Sequence, residues 1–361
     1  MSTESNKTTA LSEISAFSNE FYHLLKSESE ISSIKERLQT QGYAAHEDGT
    51  LSTLIPILSD EMRQVLIATL PDLFAGKFET SVYPDEWHWR AGISRPDATR
   101  EICNAWKSSR TIASIVLNER LGEFIANIMG WDSVRIAQDD IVWKPPQPMP
   151  LTQLDYIPQR RIDTVGFHQD SAYISTQFTP YDNNSVTLWI ALDDADKENG
   201  CLEYAVGSHL WRPVVHKKKD TGGESNTSAF HGTNEKSYKS TIDIAHAIAN
   251  NVEAQTKEIR AAPVSAGHAV LHHQDTWHGS GPNTSEVRHR RALVAHFLRG
   301  DVKFVEDDSG LPPFGSSSYI YGRYKRYQCV EVDETYFPII YSKQDCDQKR
   351  TEWLNDYASF S

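Results

Sequence analysis

VGFHQDSAYI at 165–174, SVTLWIAL at 185–192 and RALVAHFL at 291–298 are the stretches whose reading decides the fold. Each is a short run rich in Val, Ile, Leu, Trp or Tyr and bounded by Pro, Gly, Asp or Asn, the texture of β-strands separated by turns. SVRIA (133–137), DIVWK (140–144) and the run around HAVLHH (268–273) repeat that texture, all of them after Gly130. Many short strands without helices alternating between them point to a mainly β sandwich, barrel or jelly roll rather than a doubly wound fold. No GxGxxG or Walker loop opposes this.

Upstream of Gly130 the period changes from two to that of a helix. The pattern is helical and polar-rich from Leu11 to Thr40, GYAAHEDG leads into a first strand, and the first nine or so residues are expected to be disordered. Ser59 is placed to cap a helix in which Met62, Leu66 and Leu70 form a buried stripe, and Pro71 is expected to end or kink it. In NERLGEFIANIMG (118–130), Leu121, Phe124, Ile125 and Ile128 fall on one helical face and Gly130 stops the run, so this helix should pack on a sheet. The segment 216–240 is charged, Gly/Ser-rich and without period: a long loop, lid or insertion, followed by a short helix from Ile242 to Glu253. WHWRAGISRPDATR, with Arg90, Arg95 and Arg100 beside Trp87 and Trp89, reads as a surface loop with partly buried rings in preference to a substrate-recognition loop.

Composition narrows the function. The 361 residues are 39% hydrophobic and 24% charged, as in ordinary globular proteins. A net charge of −13 speaks against a nucleic-acid partner, which usually needs a basic face. Cys103, Cys201, Cys329 and Cys346 form no CxxC pair and read as reduced, mostly buried thiols. The polar start has no signal-peptide order, no apolar run approaches the roughly 20 residues of a membrane span, and cytosol is the expected compartment.

The chemistry begins at His168 and Asp170, two apart on a strand and therefore expected to point into one space. A second His would complete a facial metal triad that leaves positions open for a keto acid and O₂, and His278 in TWHGSGPN is the candidate. An isolated HxD is as readily a strand hydrogen-bond pair. A rival HxD, His273 and Asp275, lies too close to His278 for opposing strands, so His272 and His273 read as strand residues near the site rather than ligands. Zinc is disfavoured, because His268, His289 and His296 lack its short ligand spacings. On the last strand Arg290, Ala292, Val294 and His296 share one face, while Arg291, Leu293, Ala295 and Phe297 share the other. A guanidinium there suits the distal carboxylate of 2-oxoglutarate, and Ser280 could add a hydroxyl.

WKPP, HQDSAY, TLWIALDD, ENGCLEYAVGSH and HGSGPN followed by RRAL together resemble the phytanoyl-CoA dioxygenase-like oxygenases, over roughly Asp139 to Leu298. The resemblance implies a double-stranded β-helix, a cupin-like jelly roll with flanking helices. It places the metal on His168, Asp170 and His278 and the 2-oxoglutarate Arg on Arg290. The spacing from His278 to Arg290 is one residue longer than in the family, which keeps Arg288 as the alternative. It also places Lys144 and Trp189 along the cosubstrate pocket; strand parity sets Trp189 with the small Thr187 and Ala191, and plain core packing is its other reading. The implied cofactors are Fe(II), 2-oxoglutarate and O₂. The implied reaction couples decarboxylation to succinate and CO₂ with oxidation of a C–H bond of a small molecule, by hydroxylation, desaturation or ring closure in a biosynthetic pathway. Halogenation is disfavoured because Asp170 is intact. A noncatalytic metal-binding jelly roll is the alternative. The expected organisation is a disordered 1–10 and one oxygenase domain over 11–361: helical support at 11–130, the β core at 131–304 with the 216–240 insertion, and an extension at 305–361.

Overall fold

Strand alternation sets the layering. The computed structural model describes residues 28–45, 55–147, 164–174, 177–211, 258–306 and 319–344. In chain order the elements are α1 (Glu28–Gln41), β1 (Tyr43–Ala44), β2 (Ile55–Pro56), α2 (Asp60–Phe74), β3 (Glu86–Trp87), β4 (Arg100–Cys103), α3 (Arg110–Val116), α4 (Glu119–Met129), β5 (Ser133–Lys144), β6 (Val165–His168), β7 (Phe178–Thr179), β8 (Ser185–Ala191), β9 (Leu202–Ala205), β10 (Ile259–Ala262), β11 (His268–His273), β12 (His278–Ser280), β13 (Arg290–Arg299), β14 (Lys303–Phe304), α5 (Tyr319–Gly322) and β15 (Ile339–Ser342). The larger sheet runs β1-β11-β8-β13-β5-β4-β3, with β2 on β11 and β15 on β5; the smaller runs β10-β9-β12-β6. Their pairings are antiparallel, and the two sheets with their flanking helices form a jelly roll.

The two faces of the larger sheet have different partners. Leu188, Ile190, Leu293, Ala295 and Phe297 share a core with Leu66, Phe124 and Ile125 of the helices. Trp189, Ala191, Ala292 and Val294 share the other core with Leu202 and Tyr204 of the smaller sheet. In α4 the stripe Leu121, Phe124, Ile125 and Ile128 is at most 4% exposed, and burial of each such side chain is worth about 1.5–3 kcal/mol. Asn118 caps its start and Gly130, at φ 71°, ends it in the left-handed conformation. Ser59 caps α2 by accepting from the Met62 amide, as its position predicts.

Four expectations change. SVRIA and DIVWK are one 12-residue strand, β5, because β13 pairs it from Val134 to Lys144 across a single irregularity. Pro71 neither ends nor breaks α2, which continues to Phe74; so near the C-terminus one lost amide bond is tolerated. The strand in VGFHQDSAYI stops at His168, and a 3₁₀ turn covers Asp170–Ala172. The segment from 83 to 100 is not all loop: Glu86–Trp87 pairs with β4 and widens the sheet. The long loop at 216–240, the helix expected at 242–253 and the N-terminal ten residues lie outside the described residues. So does Cys346, while Cys103, Cys201 and Cys329 are free thiols. Among the described residues no helix is long and apolar enough to cross a membrane.

Candidate active site

β6 ends at His168, and Gln169 keeps an extended backbone (φ −118°, ψ 133°) before the turn opens at Asp170. One extended residue suffices to turn both flanking side chains to one side, so the parity argument survives although Asp170 is off the strand. β12 then places His278 opposite His168. Ligand atoms of His168, Asp170 and His278 all lie within 4.8 Å of one another, and the Nε2 of each imidazole is 3.5 Å from Asp170 Oδ1.

The protonation of the two imidazoles follows from their partners. His168 Nδ1 lies 2.8 Å from the Gly166 carbonyl and His278 Nδ1 2.9 Å from that of Thr276. A carbonyl only accepts, so each Nδ1 donates, and in the neutral ring each Nε2 offers a lone pair to the shared space. Burial, reinforced by His272 and His168, holds His278 well below the ordinary imidazole pKa and keeps it neutral. Burial alone would raise Asp170, but His278 and the neighbouring imidazoles of His168, His272 and His296 hold it well below the usual carboxylate range.

Asp170 is gripped on both oxygens. Tyr173 donates to Oδ1 at 2.7 Å; Thr187 Oγ1 donates to Oδ2 at 2.5 Å and His272 Nε2 donates to it at 3.0 Å. His272 therefore lies beside the His168, Asp170 and His278 cluster with its Nε2 turned to Asp170, and the reason is its tautomer. Its Nε2 must carry the proton given to Asp170, and Tyr204 OH, 2.9 Å from Nδ1, supplies the complementary donor. Tyr204 is itself stacked on Tyr43 at 4.2 Å.

His296 is the residue that sequence reasoning underweighted. Parity put it on the Arg290 face, yet nothing in the sequence tied it to Asp170. Thr187 spends its one proton on Asp170, so its oxygen accepts from His296 Nδ1 at 2.9 Å. His296 Nε2 lies 3.0 Å from Asp140 Oδ2 and donates there. With both nitrogens donating, the ring is an imidazolium held between two carboxylates. Burial opposes that charge, but Asp140 and Asp170 outweigh it and raise the pKa to about 10.

The other end of the cavity side is cationic. Arg290 is 1% exposed; Nε donates to Gly200 O at 3.0 Å and Nη2 to Ser280 Oγ at 3.1 Å, while buried Nη1 has no partner among the described residues. Lys144, its register partner, donates to Ser280 Oγ at 2.7 Å and Gly281 O at 2.5 Å. Trp189 is buried with its ring 5.3 Å from the Arg290 guanidinium. Arg288 is elsewhere: it holds Asp196 and Glu198 at 2.7 and 2.8 Å. Burial lowers Arg290 only to about 10, so it stays charged at neutral pH.

Several sequence candidates do not join the site. Arg100 stacks between Trp89 and Trp143, Arg90 lies over Trp87, and Arg95 pairs with Asp97. His209 contacts the Gln39 carbonyl, His268 that of Ala266, and His289 receives the Trp143 indole N–H. The tail, which carried little in the sequence, reaches inward: Tyr321 OH donates to Gln138 at 2.7 Å, and Gln138 donates to Asp140 at 2.7 Å.

Two facing sheets with a His/Asp/His cluster and a buried Arg define the jelly-roll class of non-haem, 2-oxoglutarate-dependent oxygenases. The family model of phytanoyl-CoA dioxygenase matches residues 11–292, and the chain belongs to that family. A protein of Stutzerimonas stutzeri named Probable alpha-ketoglutarate-dependent hypophosphite dioxygenase is 28% identical over 186 residues, covering 51% of this chain and 52% of that protein. The chain thus spans about half the length of this curated relative. Among solved structures, the epimerase SnoN in complex with Fe3+, alpha ketoglutarate and nogalamycin RO is 17% identical with a TM-score of 0.55, covering 87% of this chain and 100% of that one. The carbocyclase SnoK from nogalamycin biosynthesis is 19% identical with a TM-score of 0.53, covering 87% and 96%. At these identities the two structures support the jelly-roll fold alone.

Proposed function

We propose that this protein is an Fe(II)- and 2-oxoglutarate-dependent oxygenase acting on a C–H bond of a small molecule, with His168, Asp170 and His278 holding the metal. The observation that carries the reading is the pairing of two features: two imidazole Nε2 lone pairs and one carboxylate converging within 4.8 Å, and a buried Arg290 Nη1 without a partner among the described residues. The donor set is the facial triad suited to non-haem Fe(II). When bound, Fe(II) supplies the centre at which the keto acid and O₂ react.

The chain's own residues do the rest. Gly166 and Thr276 carbonyls accept from Nδ1 of His168 and His278 and so turn each Nε2 toward the shared space. Arg290 offers its forked guanidinium to the distal carboxylate of 2-oxoglutarate, and Ser280 Oγ, already bonded to Lys144 and Arg290, lies beside it. Trp189 and Ala191 lie buried on the same face of the sheet, with the Trp189 ring 5.3 Å from the guanidinium. Hydroxylation, desaturation or ring closure depends on where the substrate sits. The noncatalytic alternative finds no support in the family or in the donor set.

Anaerobic addition of Fe(II) and then 2-oxoglutarate to the full chain should produce a weak visible charge-transfer band that decays on admitting O₂, with succinate formed. A tight colourless zinc complex that yields no succinate would overturn the assignment. A screen of small molecules for enhanced succinate release then identifies the substrate class.

A further inference from the structure

We propose that Thr187 and His296 are positioning residues that restrict Asp170 to a single metal-facing oxygen and so keep a place for 2-oxoglutarate. The inference rests on the metal site proposed above. Asp170 Oδ1 is the oxygen 3.5 Å from both imidazole Nε2 atoms, and Oδ2 faces away into three side chains. Thr187 and His272 donate to Oδ2 at 2.5 and 3.0 Å, and His296 Nδ1 stands 3.6 Å behind them. Two donors occupy both lone pairs of that oxygen. Rotating the carboxylate to give both oxygens to a metal would break these bonds and leave buried donors unsatisfied. A carboxylate bound through both oxygens would also fill a fourth position on the metal, leaving too few for a chelating keto acid together with O₂.

Thr187 is aimed by what lies behind it. It shares a register row with His296, and His296 with Gln138, so the chain of bonds crosses three neighbouring strands, β8, β13 and β5. His296 Nδ1 donates to Thr187 Oγ1, which orients the hydroxyl proton toward Asp170; Nε2 donates to Asp140; Gln138 and Tyr321 close the far end. Two residues along the same strands the equivalent positions are Trp189 and Val294, which pack as apolar residues. At Thr187 and His296 the same strands instead bury a hydroxyl and an imidazole bonded to each other and to Asp170 and Asp140, a polar row that core packing alone does not require.

The test titrates the full chain anaerobically, first with Fe(II) and then, at saturating Fe(II), with 2-oxoglutarate, reading the visible band. Thr187→Val should weaken 2-oxoglutarate about tenfold or more, within the range typical for residues that support metal ligands, while Fe(II) affinity stays within about threefold. Thr187→Ser, which keeps the hydroxyl, should restore both the affinity and the band position, and His296→Gln should behave like Thr187→Val. If Thr187→Val fails to fold, His296→Gln decides. Unchanged 2-oxoglutarate affinity in the folded variants, parallel loss of Fe(II) and 2-oxoglutarate, or no rescue by Thr187→Ser would each overturn the proposal. A wild-type protein that forms no band removes the metal site and the proposal with it; a wild-type band with unaltered variants removes the proposal alone.

Discussion

Arg290→Ala should raise the 2-oxoglutarate concentration needed to form the anaerobic Fe(II) band by roughly 30-fold to 1000-fold. The magnitude comes from the geometry. Nη1 is buried without a partner among the described residues and Nη2 is anchored on Ser280, so the fork is preset to make two charge-assisted hydrogen bonds to a carboxylate. Such bonds contribute about 1.5–3 kcal/mol each, and allowing for non-additivity the pair is worth about 2–4 kcal/mol. At about 1.4 kcal/mol per factor of ten, that is the stated range. Arg290→Lys should fall between, because an ammonium keeps the charge and loses the fork. Arg288→Ala is the control: its side chain is about a third exposed and pairs with Asp196 and Glu198, so its loss should change the 2-oxoglutarate midpoint by less than about fivefold. The assay is a spectrophotometric titration at saturating Fe(II). A large shift for Arg288→Ala with an unchanged midpoint for Arg290→Ala would refute the placement of the cosubstrate.

Two other outcomes follow from buried groups. Burial, then Asp140, raises Glu101 to about 8, and burial raises Asp139 to about 8 as well. Both are protonated in the folded chain and ionise more readily when unfolded, so the stability they give is present below their unfolded pKa values and is lost as pH rises toward 8. The metal-free protein should therefore melt at a lower temperature at pH 8 than at pH 6.5, and Glu101→Gln should flatten that slope; a slope of the same size in the variant argues against a neutral buried Glu101. Gly200 sits at φ 84° with the place of a Cβ only 2.5 Å from the Gly281 carbonyl, and its own carbonyl accepts from Arg290. Gly200→Ala should lower the melting temperature and weaken 2-oxoglutarate together, since it strains the backbone and displaces the carbonyl that Lys144 holds.

How much was legible from the chain alone differs from element to element. The helix at Glu119–Met129 was fully readable, because its cap at Asn118, its stripe and its stop at Gly130 are all local. The strands around Thr187 and Val294 were readable too, and with them the face on which Arg290 and Trp189 lie, since side-chain alternation depends only on the backbone period. The continuity of β5 was not readable: Gln138 and Asp139 look like a turn in sequence and become strand only because β13 pairs across them. Nor were β3, a two-residue strand that exists only by pairing with β4, and the tail, whose pairing partner β5 lies far away in the chain.

The sequence by itself determined a mainly β fold, because residue type and period carry that information, and its family resemblance brought forward the jelly roll and His168, Asp170, His278 and Arg290 as the chemistry. Only the tertiary structure separates Arg290 from Arg288, drawing the guanidinium of Arg288 into surface ion pairs and burying that of Arg290 beside Ser280. It also set the partners of His272, which donates to Asp170, and of His296, which donates to Thr187 and Asp140. Those properties belong to no residue alone: a proton goes where the neighbouring acceptor is, and the acceptors here come from β8, β5 and the turn at Asp170.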